Sequence, residues 1–354
     1  MDGTMTRVAL IELRGAGGEP VGLRRTLGSH GVADLPPMAI DPDALGATVT
    51  LATPQGPRTV RLEAARPDGA ATGPEAPGGA DSVEPLLAVT VVDGGPPPGA
   101  AGAAALVAAV RRMFCLGDDL SGFYAAVAAD PDLAWAARGA GRLLRSPTVF
   151  EDVVKTVCTT NCAWSATERM VGALVGRLGE PAPGAPTGGV AGRAFPTPAA
   201  MAAAGDGFYA GVARAGYRGP YLGEIAARVA GGELDLEVLL AASRSDLPDD
   251  EVERVLLALP GVGPYAAAHI MLLLGRHSRL VFDSWTRPKY AQLMGKPKGK
   301  LIADRTIQRR FRRYKEHAGL AFWLVLTRDW IDDAPGGDAA GPAPDRLSAG
   351  EPDR

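Results

Sequence analysis

The sequence predicts a mainly α chain with an N-terminal antiparallel β domain, an α+β arrangement. Three observations point to it: short apolar runs broken by turn residues in the first hundred positions, a switch to helical periodicity from about residue 103, and two helical patterns joined by a Pro-Gly-Val-Gly turn near residue 260. The 354 residues carry 37 Lys and Arg against 40 Asp and Glu, and 46% are hydrophobic, which suits two or three packed units and rules out disorder throughout. Gly 46 and Pro 30 signal long loops, and no internal repeat is visible. Cys115, Cys158 and Cys162 cannot make a disulfide framework and lack four-ligand spacing, so no metal is expected. MDGTMTRVALIELRGAGG has no basic region leading into a continuous apolar stretch. No apolar run approaches the roughly twenty residues of a membrane span, so a cytoplasmic protein without membrane contact is expected.

The β-rich domain is expected over residues 1–100, with strands in RVALIEL, in GATVTLATPQGPRTVRLEAA around a turn at Pro54 to Pro57, and in PLLAVTVVDGG. ARPDGAATGPEAPGGADS has too little apolar content to pack and predicts a mobile loop near 65–82, while GGPPPGAAGAA at 94–104 marks a boundary. A helical domain follows over 103–333. Its helices fall in VAAVRRMFCL, LSGFYAAVAAD, PTVFEDVVKTVCTTNCAWSATERMVGALVGRLG, TPAAMAAAG, FYAGVARAG, YLGEIAARVAGG, DDEVERVLLAL, PYAAAHIMLLLG and RTIQRRFRRYKEH. Ser146-Pro147 and Thr197-Pro198 read as helix starts, and Gly275 closes the helix that Pro264 opens. Residues 334–354 read as a disordered tail.

The most informative stretch is 249–275: an amphipathic helix, the tight turn Pro260-Gly261-Val262-Gly263, and a second helix from Pro264. The two glycines permit positive φ and close backbone approach, and the free N–H groups at the second helix's positive end suit a phosphate oxygen. The same turn also serves simply to join two packed helices. In RLVFDSWTR, twenty residues beyond Gly263, Asp283 follows an apolar run, so a carboxylate can leave the core near that turn. Asp also caps helices, and the two roles are compatible because both need an exposed carboxylate.

These residues resemble the helix-hairpin-helix DNA glycosylase superfamily, whose signature is such a hairpin, a Gly/Pro-rich connection and an essential Asp. The resemblance spans about Phe114 to Trp330 and is closest to the 3-methyladenine and 8-oxoguanine glycosylases, which carry an N-terminal β domain. It implies the helix-hairpin-helix glycosylase fold, a monomer associated with the bacterial nucleoid, and double-stranded DNA containing a damaged base as partner. It also implies Asp283 as the catalytic carboxylate, with Gly261, Val262, Gly263 and Tyr265 on the DNA backbone. FEDVVKTVCTTNCAWSATERMVGALV resembles the helix and turn from which an Asn, here Asn161, enters the duplex near the opposite strand. AGYRGPYLGEIA resembles the Gly-Tyr-Arg wedge that fills the space of an extruded nucleotide, here Tyr217 and Arg218. Taken alone, Asn161 reads as a cap or turn residue and Tyr217 as a helix-end aromatic packed on Tyr221.

Cleavage of a base's glycosidic bond inside a duplex requires extrusion, and then an ionised carboxylate to stabilise positive charge on the sugar. Bifunctional relatives attack the sugar with a Lys just after the hairpin; here that position is Tyr265, which predicts base release without strand cleavage, and Lys289 has no spacing that places it at the sugar. His269 stands where 8-oxoguanine enzymes carry a Cys, and Ala166 where an Arg helps to read the opposite cytosine, which disfavours that substrate. Trp164, Trp285, Phe322 and Trp323 supply aromatic faces for an electron-poor alkylated purine. Each also fits ordinary core packing, as His269 fits a buried histidine on an apolar helix face.

Cys158 and Cys162 sit four apart on one helix face, a spacing that also suits a metal, but with no second pair nearby they read as small buried hydrophobes. The four-cysteine cluster that some relatives append is missing, so no cofactor is expected beyond a monovalent cation at the hairpin. Between Arg287 and Lys315 stand eleven Lys or Arg (Arg287, Lys289, Lys296, Lys298, Lys300, Arg305, Arg309, Arg310, Arg312, Arg313, Lys315) and one acid, Asp304. That run suits phosphates, of DNA or of RNA, or a solvated helix face. Two other readings stay open: a glycosylase of the same fold for 8-oxoguanine or another modified base or crosslink, and a DNA-binding relative without catalysis.

Overall fold

The computed structural model describes residues 5–41, 43–66 and 86–330. Strand β1 (Thr6–Glu12) leads through α1 (Leu23–Leu27) to β2 (Met38–Asp41), β3 (Gly46–Leu51), β4 (Arg58–Ala65) and β5 (Leu86–Val91). All neighbours are antiparallel in the order β1-β5-β4-β3-β2. β4 faces Val60 opposite Val91 and Ala65 opposite Leu86 on β5, so its alternating apolar residues line one buried face. Strand β2 was not expected: MAID is too short to show alternation and exists by pairing Met38 with Val49 and Asp41 with Gly46. The segment expected to be mobile near 65–82 lies outside the described residues except for Ala65, which ends β4, and Arg66. The tail at 334–354 also lies outside them.

The helices are α2 (Ala100–Met113), α3 (Ser121–Val127), α4 (Val149–Thr159), α5 (Trp164–Leu178), α6 (Pro198–Ala203) and the single turn α7 (Gly205–Gly207). There follow α8 (Arg218–Ala230), α9 (Val238–Ala241), α10 (Asp249–Leu257), α11 (Pro264–Leu273), α12 (Thr286–Leu293), α13 (Asp304–Phe311) and α14 (Ala318–Thr327). Thr197 opens α6 as expected, its side chain accepting from Ala200 N at 3.1 Å. α4 starts later than Ser146-Pro147: Thr148 is the cap, accepting from Glu151 N at 3.2 Å, while Ser146 N donates to Asp152 Oδ1 at 2.9 Å. α4 then stops at Thr159, so Cys162 lies in the following turn and not on a shared helix face with Cys158; its Sγ reaches the Cys158 carbonyl at 3.2 Å.

Three apolar cores form, and two of them share α11. One lies under the sheet and continues into α2 through Leu106, Val110 and Met113, past the expected boundary at residue 100. A second gathers α4, α5, α8 and α10 on Ala266, Ala267, Ile270 and Met271 of α11. The third gathers α3, α12, α13 and α14 on Ala268, Leu272 and Leu273. Every residue from Ala266 to Leu273 is buried, which is what an almost uniformly apolar helix requires. At about 1.5–3 kcal/mol per large apolar side chain sealed, this burial outweighs any helix propensity in fixing the hairpin's second arm. Gly275 closes α11 with φ +74°, and the Arg145 guanidinium donates to the Leu273 carbonyl and to Asp118. No helix among the described residues is long and apolar enough to cross a membrane.

Candidate active site

The hairpin forms where the sequence places it, α10 and α11 joined through Pro260 to Gly263. Gly261 has φ +78°, and a Cβ there would lie 2.8 Å from the Tyr221 ring. Gly263 is the cap residue of α11, with extended backbone and open space where a Cβ would stand. The N–H groups of Gly263 and Tyr265 donate to no backbone carbonyl among the described residues, which leaves the helix's positive end open. Val262 points inward and is 6% exposed.

Asp283 sits where the chain enters α12. Its Oδ1 accepts from Trp285 N at 2.8 Å and Thr286 N at 2.6 Å, while its own N–H donates to Thr286 Oγ1 at 2.9 Å. This reciprocal cap fixes the carboxylate with one oxygen, and Oδ2 has no hydrogen-bond partner among the described residues. No arginine side chain claims it: Arg287 pairs with Asp304 at 2.9 Å and gives Asp283 only a 3.3 Å bond to its backbone carbonyl. Tyr265 is close enough to feel that charge. Burial first, then the Asp283 carboxylate, push its hydroxyl up to about 12, against a 3.2 Å bond to Thr159 Oγ1.

An aromatic wall continues from Tyr265. Its ring and that of His269, one helical turn on, are 6.2 Å apart; His269 to Trp323 is 6.2 Å, Trp323 to Trp285 5.9 Å, and Trp285 to Trp330 5.3 Å. Trp323 is anchored by Nε1, which donates to the Ser29 carbonyl at 2.9 Å. Two of the expected pocket residues are elsewhere. Phe322 is fully buried between Phe282, Tyr290 and Phe311 and belongs to the core, because α14 is apolar on every face and only one side meets the wall. Trp164 opens α5, packs on the second core and makes no ring contact among the described residues.

The other expected cluster assembles beside the hairpin. Asn161 has φ +47° at the end of α4, and its Nδ2 lies 3.3 Å from the Tyr217 hydroxyl. Tyr217 is 51% exposed and edge-on to Tyr221 at 6.1 Å, so the bland packing and the projecting ring coexist. Arg218 departs from the wedge role: it is 6% exposed, its guanidinium lies 4.4 Å under the Tyr217 ring, and it donates to the Thr160 carbonyl. It props the wedge from below. His30 and Trp330 join the wall from distant segments and were not expected there: Trp330 shows in the sequence only as an aromatic ending an apolar run, and His30 leaves no periodic signal.

The basic run is less bare than its count. Arg287 pairs with Asp304, Lys289 with Asp329 at 2.6 Å, Arg310 with Asp132 at 3.2 Å and Arg313 with Asp130 at 2.6 Å. Lys296, Lys298, Lys300, Arg305, Arg309, Arg312 and Lys315 are exposed and have no carboxylate partner among the described residues. No group of three or more His, Cys, Asp or Glu among the described residues could hold a metal ion.

The arrangement of sheet and helices as a whole recurs in solved structures. The chain overlays a 3-methyladenine DNA glycosylase from Archaeoglobus fulgidus with TM-score 0.62 at 19% identity, over 90% of this chain and 97% of that one. It overlays an 8-oxoguanine glycosylase/lyase from Clostridium acetobutylicum, solved with double-stranded DNA carrying cytosine opposite 8-oxoguanine, with TM-score 0.61 at 17% identity, over 93% and 99%. The fold is that of the helix-hairpin-helix DNA glycosylases. No protein-family model and no curated protein matches the chain. In this glycosylase fold, the hairpin, the Asn161–Tyr217 cluster and the Asp283 wall are three separate pieces brought together by α4, α8 and α11.

Proposed function

We propose that the chain is a monofunctional DNA N-glycosylase of base excision repair that flips an alkylated purine and hydrolyses its glycosidic bond. The observation that carries this reading is Asp283, held by backbone N–H groups through one oxygen with the other unpartnered, beside Tyr265 and an aromatic wall. In the reading, the hairpin N–H groups of Gly263 and Tyr265 take a phosphate, and the unpaired cations from Lys296 to Lys315 neutralise others. Tyr217 enters the duplex, Asn161 meets the opposite strand, and the extruded base stacks on Trp285 and Trp323 beside His269. The Asp283 carboxylate stabilises charge growing on the sugar and orients the attacking water.

A phenol held at about 12 is no amine nucleophile, and Lys289 is tied to Asp329, so no Schiff base forms with the sugar. The Val262 carbonyl accepts no hydrogen bond among the described residues, which suits a monovalent cation at the turn, and no other cofactor is proposed. The test is incubation with duplexes carrying 3-methyladenine, hypoxanthine, 8-oxoguanine, uracil or alkylated guanine, with and without later alkali. Release of an alkylated purine with nicking only after alkali is expected; nicking without alkali contradicts the monofunctional assignment, and no release from any duplex contradicts the activity.

A further inference from the structure

Inside the molecule two imidazoles stand edge to face, the rings of His30 and His269 lying 5.6 Å apart at 76°. Each is 3% exposed. Burial holds both below the usual histidine range, His30 at about 4 and His269 at about 3, so both are neutral at physiological pH. His30 Nε2 lies 2.8 Å from the Leu144 carbonyl. A carbonyl oxygen only accepts, so Nε2 carries the ring's single proton and Nδ1 presents a bare lone pair. That lone pair has no partner among the described residues, and neither does Nδ1 of His269. Polar atoms buried without partners oppose folding, and a pair of them at the end of the aromatic wall that leads to Asp283 points to a ligand that completes them.

The pair is continuous with the site. His269 follows Tyr265 by one helical turn, its ring is 6.2 Å from Trp323, and Trp323 touches Trp285, two residues after Asp283. Resting on the glycosylase reading, we propose that His30 is a specificity-determining residue whose Nδ1 accepts a hydrogen bond from the amino group of an extruded N-alkylated adenine. Alkylation makes the purine cationic and its 6-amino group a strong donor. An equally cationic 7-methylguanine presents a carbonyl oxygen at that position, lone pair against lone pair. No protein bond fixes the tautomer of His269, so it donates to or accepts from a neighbouring base atom.

Two substitutions separate reading from support. His30→Gln keeps an N–H near Nε2 for the Leu144 carbonyl but offers no acceptor at Nδ1; His30→Asn keeps an acceptor near Nδ1 and gives up the Leu144 bond. Single-turnover release of 3-methyladenine and 7-methylguanine is measured for each, with thermal melting alongside. His30→Gln is expected to lower the 3-methyladenine to 7-methylguanine ratio about tenfold, the worth of one hydrogen bond to the base, while His30→Asn preserves it. A ratio unchanged in His30→Gln, or lost only in His30→Asn, overturns the proposal and leaves His30 as a prop for Leu144 or a site for a buried water. A wild-type protein that releases no base overturns the glycosylase reading and this proposal with it.

Discussion

Tyr217 and Arg218 adjoin in the chain yet stand in opposite environments, one half exposed and the other sealed beneath it. Tyr217→Ala removes a half-exposed ring, so melting should fall less than in Arg218→Ala while fluorescence-reported base extrusion weakens by about 1–3 kcal/mol, the worth of one stacked ring. Arg218→Ala removes the bond to Thr160 and the packing under Tyr217, and should cost about 1–3 kcal/mol in denaturant unfolding as well as activity. Equal effects of both on stability would contradict this division. Neighbouring positions could not reveal it, because burial of Arg218 depends on a carbonyl 58 residues away. Tyr265 carries the other residue-scale claim: Tyr265→Lys places an amine near the sugar and should yield a borohydride-trapped DNA adduct that the wild type does not form.

At the scale of the hairpin, two glycines two residues apart do different work. Gly261→Ala meets a positive φ and the Tyr221 ring and should destabilise the fold by about 1–2 kcal/mol. Gly263→Ala meets nothing in the protein and should melt like the wild type, yet weaken DNA binding, because its new methyl stands where a phosphate approaches the free N–H groups. Calorimetry and a binding titration read the two effects; a Gly263→Ala protein that binds normally removes the phosphate from this turn. The hairpin was legible because Pro and Gly punctuate it and apolar periodicity marks both arms. The aromatic wall was only half legible: Trp285 and Trp323 were in view, but nothing local distinguishes Trp323, whose indole finds Ser29, from Phe322, whose neighbours are all core. β2 and the start of α4 differ from expectation because a four-residue edge strand and a cap directly after a Ser-Pro pair carry almost no pattern.

Across the whole molecule, long-range pairing rewrites what charge counts suggest. Asp130, Asp132 and Asp329 neutralise three cations of the basic run, and those contacts span up to 183 residues. Buried titratable groups also set the pH response. His30, His269 and His277 are held below their unfolded 6.5, so the unfolded chain takes up protons first and stability is lost as pH falls from 6.5 towards 4. Asp152, raised by burial to about 6, acts in the opposite sense, stabilising the fold below that pH, and three groups outweigh one. The melting temperature should therefore fall by several degrees between pH 7 and pH 5; a flat or rising profile contradicts the neutral burial of these rings. Asp283 is held by two backbone N–H groups through Oδ1, at the mouth of the aromatic wall. Single-turnover base release by Asp283→Asn, measured beside its affinity for lesion-bearing duplex, addresses the catalytic role of this carboxylate most directly. Release slowed about a hundredfold to a thousandfold with binding intact is the predicted result, and release near the wild-type rate would contradict it.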